Sequence, residues 1–109
     1  MKLVLVCYSG SSASILRDRM LAWARANLLD VEIIVSSLAG LGEDKEDADI
    51  VLVGPQVRCA LASVRERVPE RIPVMAVDTR DYGMAKGDRV MQAALDEIRQ
   101  YKEHKIHME

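Results

Sequence analysis

Four short apolar segments alternate with segments of helical periodicity, and this alternation limits the chain to few folds. The apolar segments are rich in Val and Ile, as expected for strands of a parallel sheet that is covered on both faces. They are KLVLVC (2–7), VEIIVSS (31–37), DIVLVG (49–54) and IPVMAVD (72–78). Strands that alternate with helices form parallel α/β sandwiches with right-handed crossovers. The sequence therefore predicts a four-stranded parallel sheet between two layers of helices.

Three helices are predicted from apolar residues that recur at helical spacing. They span 12–28, 56–68 (just before Pro69) and about 86–102. The residues expected to face the core are Ile15, Leu16, Met20, Trp23 and Ala24, then Val57, Ala60, Leu61 and Val64, then Val90, Met91, Ala94, Leu95 and Ile98. The glycine-rich, acidic connection 38–48 favours one short turn at most. The 109 residues fit one domain, 1–109, with a polar tail at 103–109 that is expected to fray.

The composition argues against several kinds of partner. The net charge is −2 and no run of Lys or Arg is present, so the sequence has no positively charged segment that would attract nucleic acid. No apolar stretch reaches the roughly 20 residues that span a bilayer, and we interpret the apolar N-terminus as a core strand rather than a secretion signal. Cys7 and Cys59 are too few for a disulfide scaffold, which favours a reducing cytoplasm.

Residues with chemical potential follow the strands at their carboxyl ends, where ligands bind in doubly wound sheets. If the strand order is 2-1-3-4, the order reverses between the first and third strands. Cys7 and the turn of Gly54, Pro55 and Gln56 would then flank one crevice. Asp78 follows the fourth strand at the same edge. Tyr82, with the adjacent glycine, could line the crevice or only turn the chain into the last helix.

The segment CYSGSSAS (7–14) stands where the first strand becomes a helix. A helix N-terminus and a tight turn at Gly10 would aim successive backbone N–H groups at an anion, and serine hydroxyls would add donors. We therefore expect a cradle that makes Cys7 partly ionised near neutral pH and then holds phosphate oxygens. The predicted phosphate-binding residues are Tyr8, Ser9, Gly10, Ser11, Ser12, Ala13 and Ser14. A serine-capped helix with a buried core cysteine is the structural alternative.

A phosphatase loop is the obvious competing interpretation of this segment. It needs an arginine six residues after the cysteine to clamp the phosphate with two hydrogen bonds. That position is Ala13, and Arg17 lies one helical turn later. The sequence thus favours a loop that accepts a phosphoryl group over one that hydrolyses a phosphoester.

The sequence resembles the IIB components of the lactose/cellobiose (N,N'-diacetylchitobiose) family of bacterial sugar phosphotransferase systems. The likeness is carried by Cys7, Gly10, Ser12, Ser14 and Ile15, by ADIVLVGPQVR (48–58) and by VDTRDYGMAKGDRVMQAAL (77–95). It covers nearly the whole chain and implies a flavodoxin-like, low-molecular-weight-phosphatase-like three-layer sandwich. Ala13, Tyr8 and Ser11 depart from the residues usual in the family.

The resemblance implies a phosphotransferase that works as a relay. A phosphohistidine on the IIA protein would phosphorylate Cys7, and the phosphocysteine would then phosphorylate a sugar held by the membrane transporter IIC. The resemblance further implies that the protein uses no metal or organic cofactor and is a monomer in isolation. It implies a cytoplasmic protein that does not insert into the membrane and that binds transiently at the inner membrane face through IIC. A β-linked disaccharide is the expected sugar.

Other candidates have simpler interpretations. Cys59 is expected to be a packing residue on its helix. His104 and His107 are expected to lie in a solvated tail and not to bind a metal. Two other functions stay open on this fold. A flavin or phosphate-binding carrier would use a similar loop but would need more aromatic side chains than the four present. A non-catalytic regulatory module would tolerate the loss of Cys7.

Overall fold

A parallel sheet forms the centre of the molecule, as the sequence predicts. The computed structural model describes residues 1–7, 10–41 and 47–108, without the side chains of residues 10–12 and 104–108. Its strands are β1 (Lys2–Cys7), β2 (Glu32–Ser37), β3 (Ile50–Val53) and β4 (Val74–Ala76). They pair in the order β2-β1-β3-β4, and every pair is parallel. The predicted strand order is confirmed, and the strand ends differ from the predicted ones by two residues at most.

The helices differ more from the prediction. They are α1 (Gly10–Ala26), a 3-10 helix (Pro55–Ala60), α2 (Leu61–Arg67), α3 (Thr79–Gly83) and α4 (Gly87–Met108). The single helix predicted over 56–68 was wrong: Val57 has non-helical angles (φ −116°, ψ 21°), and the chain makes a 3-10 helix before α2 begins. The short helix α3 was not predicted, and α4 continues beyond the predicted end near residue 102.

Each face of the sheet carries its own buried cluster, because neighbouring residues of a strand point to opposite faces. In β1, Leu3, Leu5 and Cys7 face the layer formed by α1 and α4. Val4 and Val6 face the other layer, which contains Val57 of the 3-10 helix and Val64 of α2. Helices therefore cover both faces, as predicted. No helix among the described residues has the length and apolar character needed to cross a membrane.

Two side chains predicted to be packed inside are exposed instead. Ile15 is 54% exposed, because the buried line of α1 runs through Ala13, Leu16 and Met20, and Ile15 is rotated by about 100° from Leu16. Cys59 is also exposed. It lies two residues after the buried Val57, which in a helix of three residues per turn is a different face.

Candidate functional site

Cys7 is the last residue of β1, a central strand of the sheet. Its side chain is only 2% exposed and belongs to the cluster under α1 and α4. Ala13 of α1 and Tyr82 of α3 belong to the same cluster, and the neighbouring residue of β2 across the sheet is Ser37. The fold therefore places the thiol at the carboxyl edge of the sheet, beneath the start of a helix.

Helix α1 begins at Gly10, three residues after Cys7. The first four N–H groups of an α-helix have no partner within the helix, and this end carries the positive end of the helix dipole. Both features favour an anion near the Cys7 sulfur. Of the predicted phosphate-binding residues, Tyr8 and Ser9 lie outside the described residues, and so do the side chains of Ser11 and Ser12. Gly10 is described as the first residue of α1, Ala13 is buried and Ser14 is half-buried. Their role in an anion cradle stays a prediction.

Burial of Cys7 raises the pKa of its thiol above the ordinary value. The cause is desolvation, which penalises the charged thiolate and leaves the neutral thiol favoured. This direction is opposite to the partly ionised Cys7 that the sequence predicts.

A cavity of about 270 Å³ adjoins Cys7 on the side of β2, and its described lining comprises Cys7, Ser37, Leu38 and Ala39. Sequence reasoning missed this wall. The sequence predicts the crevice between β1 and β3, where the strand order reverses, although β2 also ends at this edge. The usable signal is the polar end of β2, where Ser36 and Ser37 interrupt an apolar strand at the level of Cys7.

The residues predicted on the β3 side are brought close to the end of β1. The Gly54 N–H donates to the Val6 carbonyl at 2.8 Å. A Cβ at Gly54 would lie 3.3 Å from that oxygen, which is a tight contact, and 3.4 Å from Cε2 of Tyr82, so the tyrosine ring lies directly beside the Gly54 backbone. Tyr82 is 5% exposed and belongs to the same buried cluster as Cys7, whereas Pro55 is half-buried and Gln56 is exposed.

Asp78 lies at the same edge of the sheet but has a different role in the described structure. Its Oδ1 accepts the N–H groups of Arg80 at 2.9 Å and Asp81 at 3.0 Å, which caps the start of α3. Asp78 also lines a separate cavity of about 460 Å³ with Arg80 and Lys86. The structure therefore groups Cys7 with Tyr82 and the β2 turn, and it employs Asp78 as a helix cap.

Position 13, where a phosphatase loop would carry arginine, is filled by a methyl group with no exposure. Arg17 approaches Asp18, with 3.6 Å between the charged groups. Neither residue supplies a guanidinium at the Cys7 cavity. The described residues also contain no group of three His, Cys, Asp or Glu side chains arranged to hold a metal ion.

A 2-1-3-4 parallel sheet with helices on both faces defines a small α/β domain of the flavodoxin-like class. The chain belongs to the lactose/cellobiose-specific IIB subunits of the sugar phosphotransferase system (PTS), whose family model matches residues 2–93. It is therefore a component of sugar phosphotransfer, as the sequence resemblance implies.

Similar proteins agree with this assignment. The chain is 35% identical over 100 residues to a PTS galactose-specific EIIB component of Lactococcus lactis subsp. cremoris, with 84% of this chain and 91% of the relative covered. Identity and coverage are the same for a PTS cellobiose-specific EIIB component of Lactococcus lactis subsp. lactis: 35%, 84% and 91%. The solution structure of the cellobiose-specific IIB component from Borrelia burgdorferi superposes with a TM-score of 0.77 at 30% identity, covering 93% of this chain and 94% of that one.

Proposed function

We propose that Cys7 is the phosphoacceptor of this IIB component. It takes a phosphoryl group from a phosphohistidine of IIA and passes it to a sugar hydroxyl held by IIC. The observation that carries the proposal is the position of Cys7, at the end of a central strand and three residues before the N-terminus of α1. A helix N-terminus favours the negative charge of a phosphorylated sulfur, and the adjoining cavity provides space for the group.

The first transfer breaks the N–P bond of the phosphohistidine and forms an S–P bond at Cys7. Because burial raises the pKa of the Cys7 thiol, the sulfur arrives with its proton. The imidazole nitrogen that loses the phosphoryl group accepts this proton, so the donor supplies the base. In the second transfer the S–P bond breaks, an O–P bond forms on the sugar, and the sugar hydroxyl proton returns to the sulfur. Positioning and charge stabilisation dominate such transfers, and the relay involves no net oxidation or hydrolysis.

We further propose a β-linked disaccharide as the sugar and the cytoplasmic face of the membrane, beside IIC, as the place of the second transfer. The support is membership of the lactose/cellobiose family. The names of the relatives do not narrow the sugar further, because the galactose-specific and cellobiose-specific components share the same 35% identity with this chain.

The test is intact mass after incubation with phosphorylated IIA. Wild type, Cys59→Ser and a chain truncated after Glu103 should each gain one phosphate, whereas Cys7→Ser should gain none. Serine preserves the shape of the side chain, but its hydroxyl stays protonated and is a weak nucleophile without an adjacent base. Cys59→Ser is the matched control, since Cys59 is the exposed thiol of the same chain. A phosphate that persists in Cys7→Ser, or disappears with the tail that carries His104 and His107, would contradict the proposal.

A further inference from the structure

The turn that follows β2 forms a wall of the Cys7 cavity. Ser37 is the partner of Cys7 across the sheet, and Leu38 and Ala39 complete the described lining. The turn is fixed from inside, because the Ser37 Oγ accepts the N–H of Gly40 at 2.9 Å. A Cβ at Gly40 would lie 2.9 Å from that oxygen, which is too close for an undisturbed contact. Glycine at position 40 therefore lets the Ser37 side chain keep its hydrogen bond to the turn.

Arg67, the last residue of α2, holds the same turn from the opposite layer of the molecule. Its Nη1 donates to the Leu38 carbonyl at 3.2 Å and its Nη2 to the Leu41 carbonyl at 3.0 Å. The planar guanidinium thus spans both ends of the turn with its two donors. The Leu41 side chain is 4% exposed, so this end of the turn is also anchored in the core.

We propose that Arg67 is a positioning residue of the Cys7 site, which keeps the 38–41 turn against the cavity and thereby shields the sulfur. Arg67 acts through the turn, since the atoms that it contacts are the carbonyls of Leu38 and Leu41. The turn thereby keeps the apolar side chains of Leu38 and Ala39 in the lining of the cavity beside the sulfur. Shielding of the thiol is independent of the proposed function, whereas protection of a phosphocysteine from hydrolysis rests on it.

The first experiment measures alkylation of Cys7 by iodoacetamide, with the exposed Cys59 as the internal reference. Arg67→Ala should raise the Cys7-to-Cys59 rate ratio at least about tenfold, since a tenfold change in a local opening equilibrium needs only about 1.4 kcal/mol. Arg67→Lys, with one ammonium in place of the two-donor fork, should recover part of the protection. Gly40→Ala should raise the ratio independently of Arg67, because the new Cβ disturbs the Ser37 contact.

Arg65→Ala is the matched control. Arg65 lies on the same helix and also donates to backbone carbonyls, but its acceptors are Val68, at 3.4 Å, and Pro69, at 2.7 Å, away from the turn. The Cys7-to-Cys59 alkylation rate ratio of Arg65→Ala should equal that of wild type. Low urea separates local opening from global unfolding: the raised Cys7 rate of Arg67→Ala should stay nearly constant in low urea, whereas reaction through global unfolding would rise steeply. An unchanged ratio in Arg67→Ala, an equal rise in Arg65→Ala, or a steep urea dependence would overturn the inference.

The second experiment follows the decay of the phosphorylated proteins by intact mass. Arg67→Ala should lose its phosphate faster than wild type and Arg65→Ala, and an equal lifetime would overturn the shielding of the phosphorylated sulfur. If wild type accepts no phosphate on Cys7, the proposed function fails by itself. The alkylation ratios then still decide whether Arg67 positions the turn.

Discussion

At Gly87 the backbone of α4 lies directly against the backbone of α1, and replacing this glycine with alanine should be costly. A Cβ at Gly87 would lie 2.5 Å from both the Arg19 carbonyl carbon and the Met20 nitrogen. These are backbone atoms of α1, so no side-chain rotation can make room. The Arg19 guanidinium also donates to the Met84 and Ala85 carbonyls, at 3.5 and 3.4 Å, and ties the turn before Gly87 to α1. Relief of the clash must therefore separate the two helices.

The magnitude follows from the distance. Ordinary van der Waals contact begins near 3.4 Å, so the helices must move apart by nearly an ångström at Gly87. Over-packing of a tight site costs typically 1–3 kcal/mol, and the upper end applies where backbone meets backbone. We expect Gly87→Ala to lower the free energy of unfolding by about 3 kcal/mol, a large fraction of the roughly 5–15 kcal/mol of a small domain.

The matched control is Gly83→Ala. A Cβ at Gly83 would meet nothing within 4 Å, and no described glycine has a positive φ. Alanine there should be neutral or stabilising by up to about 1 kcal/mol. Urea unfolding monitored by the fluorescence of Trp23, the single tryptophan, measures both variants. If Gly87→Ala unfolds within about 0.5 kcal/mol of wild type, or is no less stable than Gly83→Ala, the argument from close helix approach is refuted.

Two further predictions concern stability. Leu28 lies in the turn two residues after α1 ends, with a positive φ of 59° and 93% exposure, so Leu28→Gly should relieve backbone strain and raise the free energy of unfolding by roughly 0.5–1 kcal/mol. Leu29→Gly, at a position without a positive φ, should lower the free energy of unfolding, and the reverse ranking would contradict the reasoning. Because burial raises the pKa of Cys7, its contribution to stability is fully present below the unfolded pKa of about 8.5 and is lost as the pH rises through the folded value. The free energy of unfolding of wild type, measured in urea, should therefore fall more steeply above about pH 8.5 than that of Cys7→Ser. Equal slopes would show that the Cys7 thiol has the same pKa in the folded and unfolded states.

The sheet could be predicted from the sequence because buried parallel strands are apolar on both faces. The segment 2–7 alternates between two cores, with Leu3 and Leu5 on one side and Val4 and Val6 on the other, so it has no polar face that could suggest another structure. The helices were harder. Apolar spacing alone does not separate Ala13 from Ile15 as the inward residue, and only the approach of α1 to the sheet decides that Ala13 is buried.

The position of Cys7 in the site was also predictable from the sequence. A cysteine at the end of a central strand, followed by a helix, places the thiol at the carboxyl edge of the sheet whatever the details of packing. The wall formed by the 38–41 turn was not predictable. It depends on the register of Cys7 with Ser37 and on a donor from Arg67, which is distant in sequence. Hydrogen bonds of this kind leave no periodic pattern.

The raised pKa of Cys7 suits a carrier better than a hydrolase. A phosphatase must generate a thiolate and stabilise its phosphoenzyme for attack by water, and the arginine that assists it is replaced here by the buried Ala13. In the proposed relay the thiol needs a base only while the partner is bound, and the departing imidazole supplies it. Between encounters, a protonated and shielded sulfur is a poor target for oxidants and alkylating agents, which react with exposed thiolates. The burial that lowers the reactivity of the free thiol would, after transfer, exclude water from the S–P bond and so reserve the phosphoryl group for the sugar.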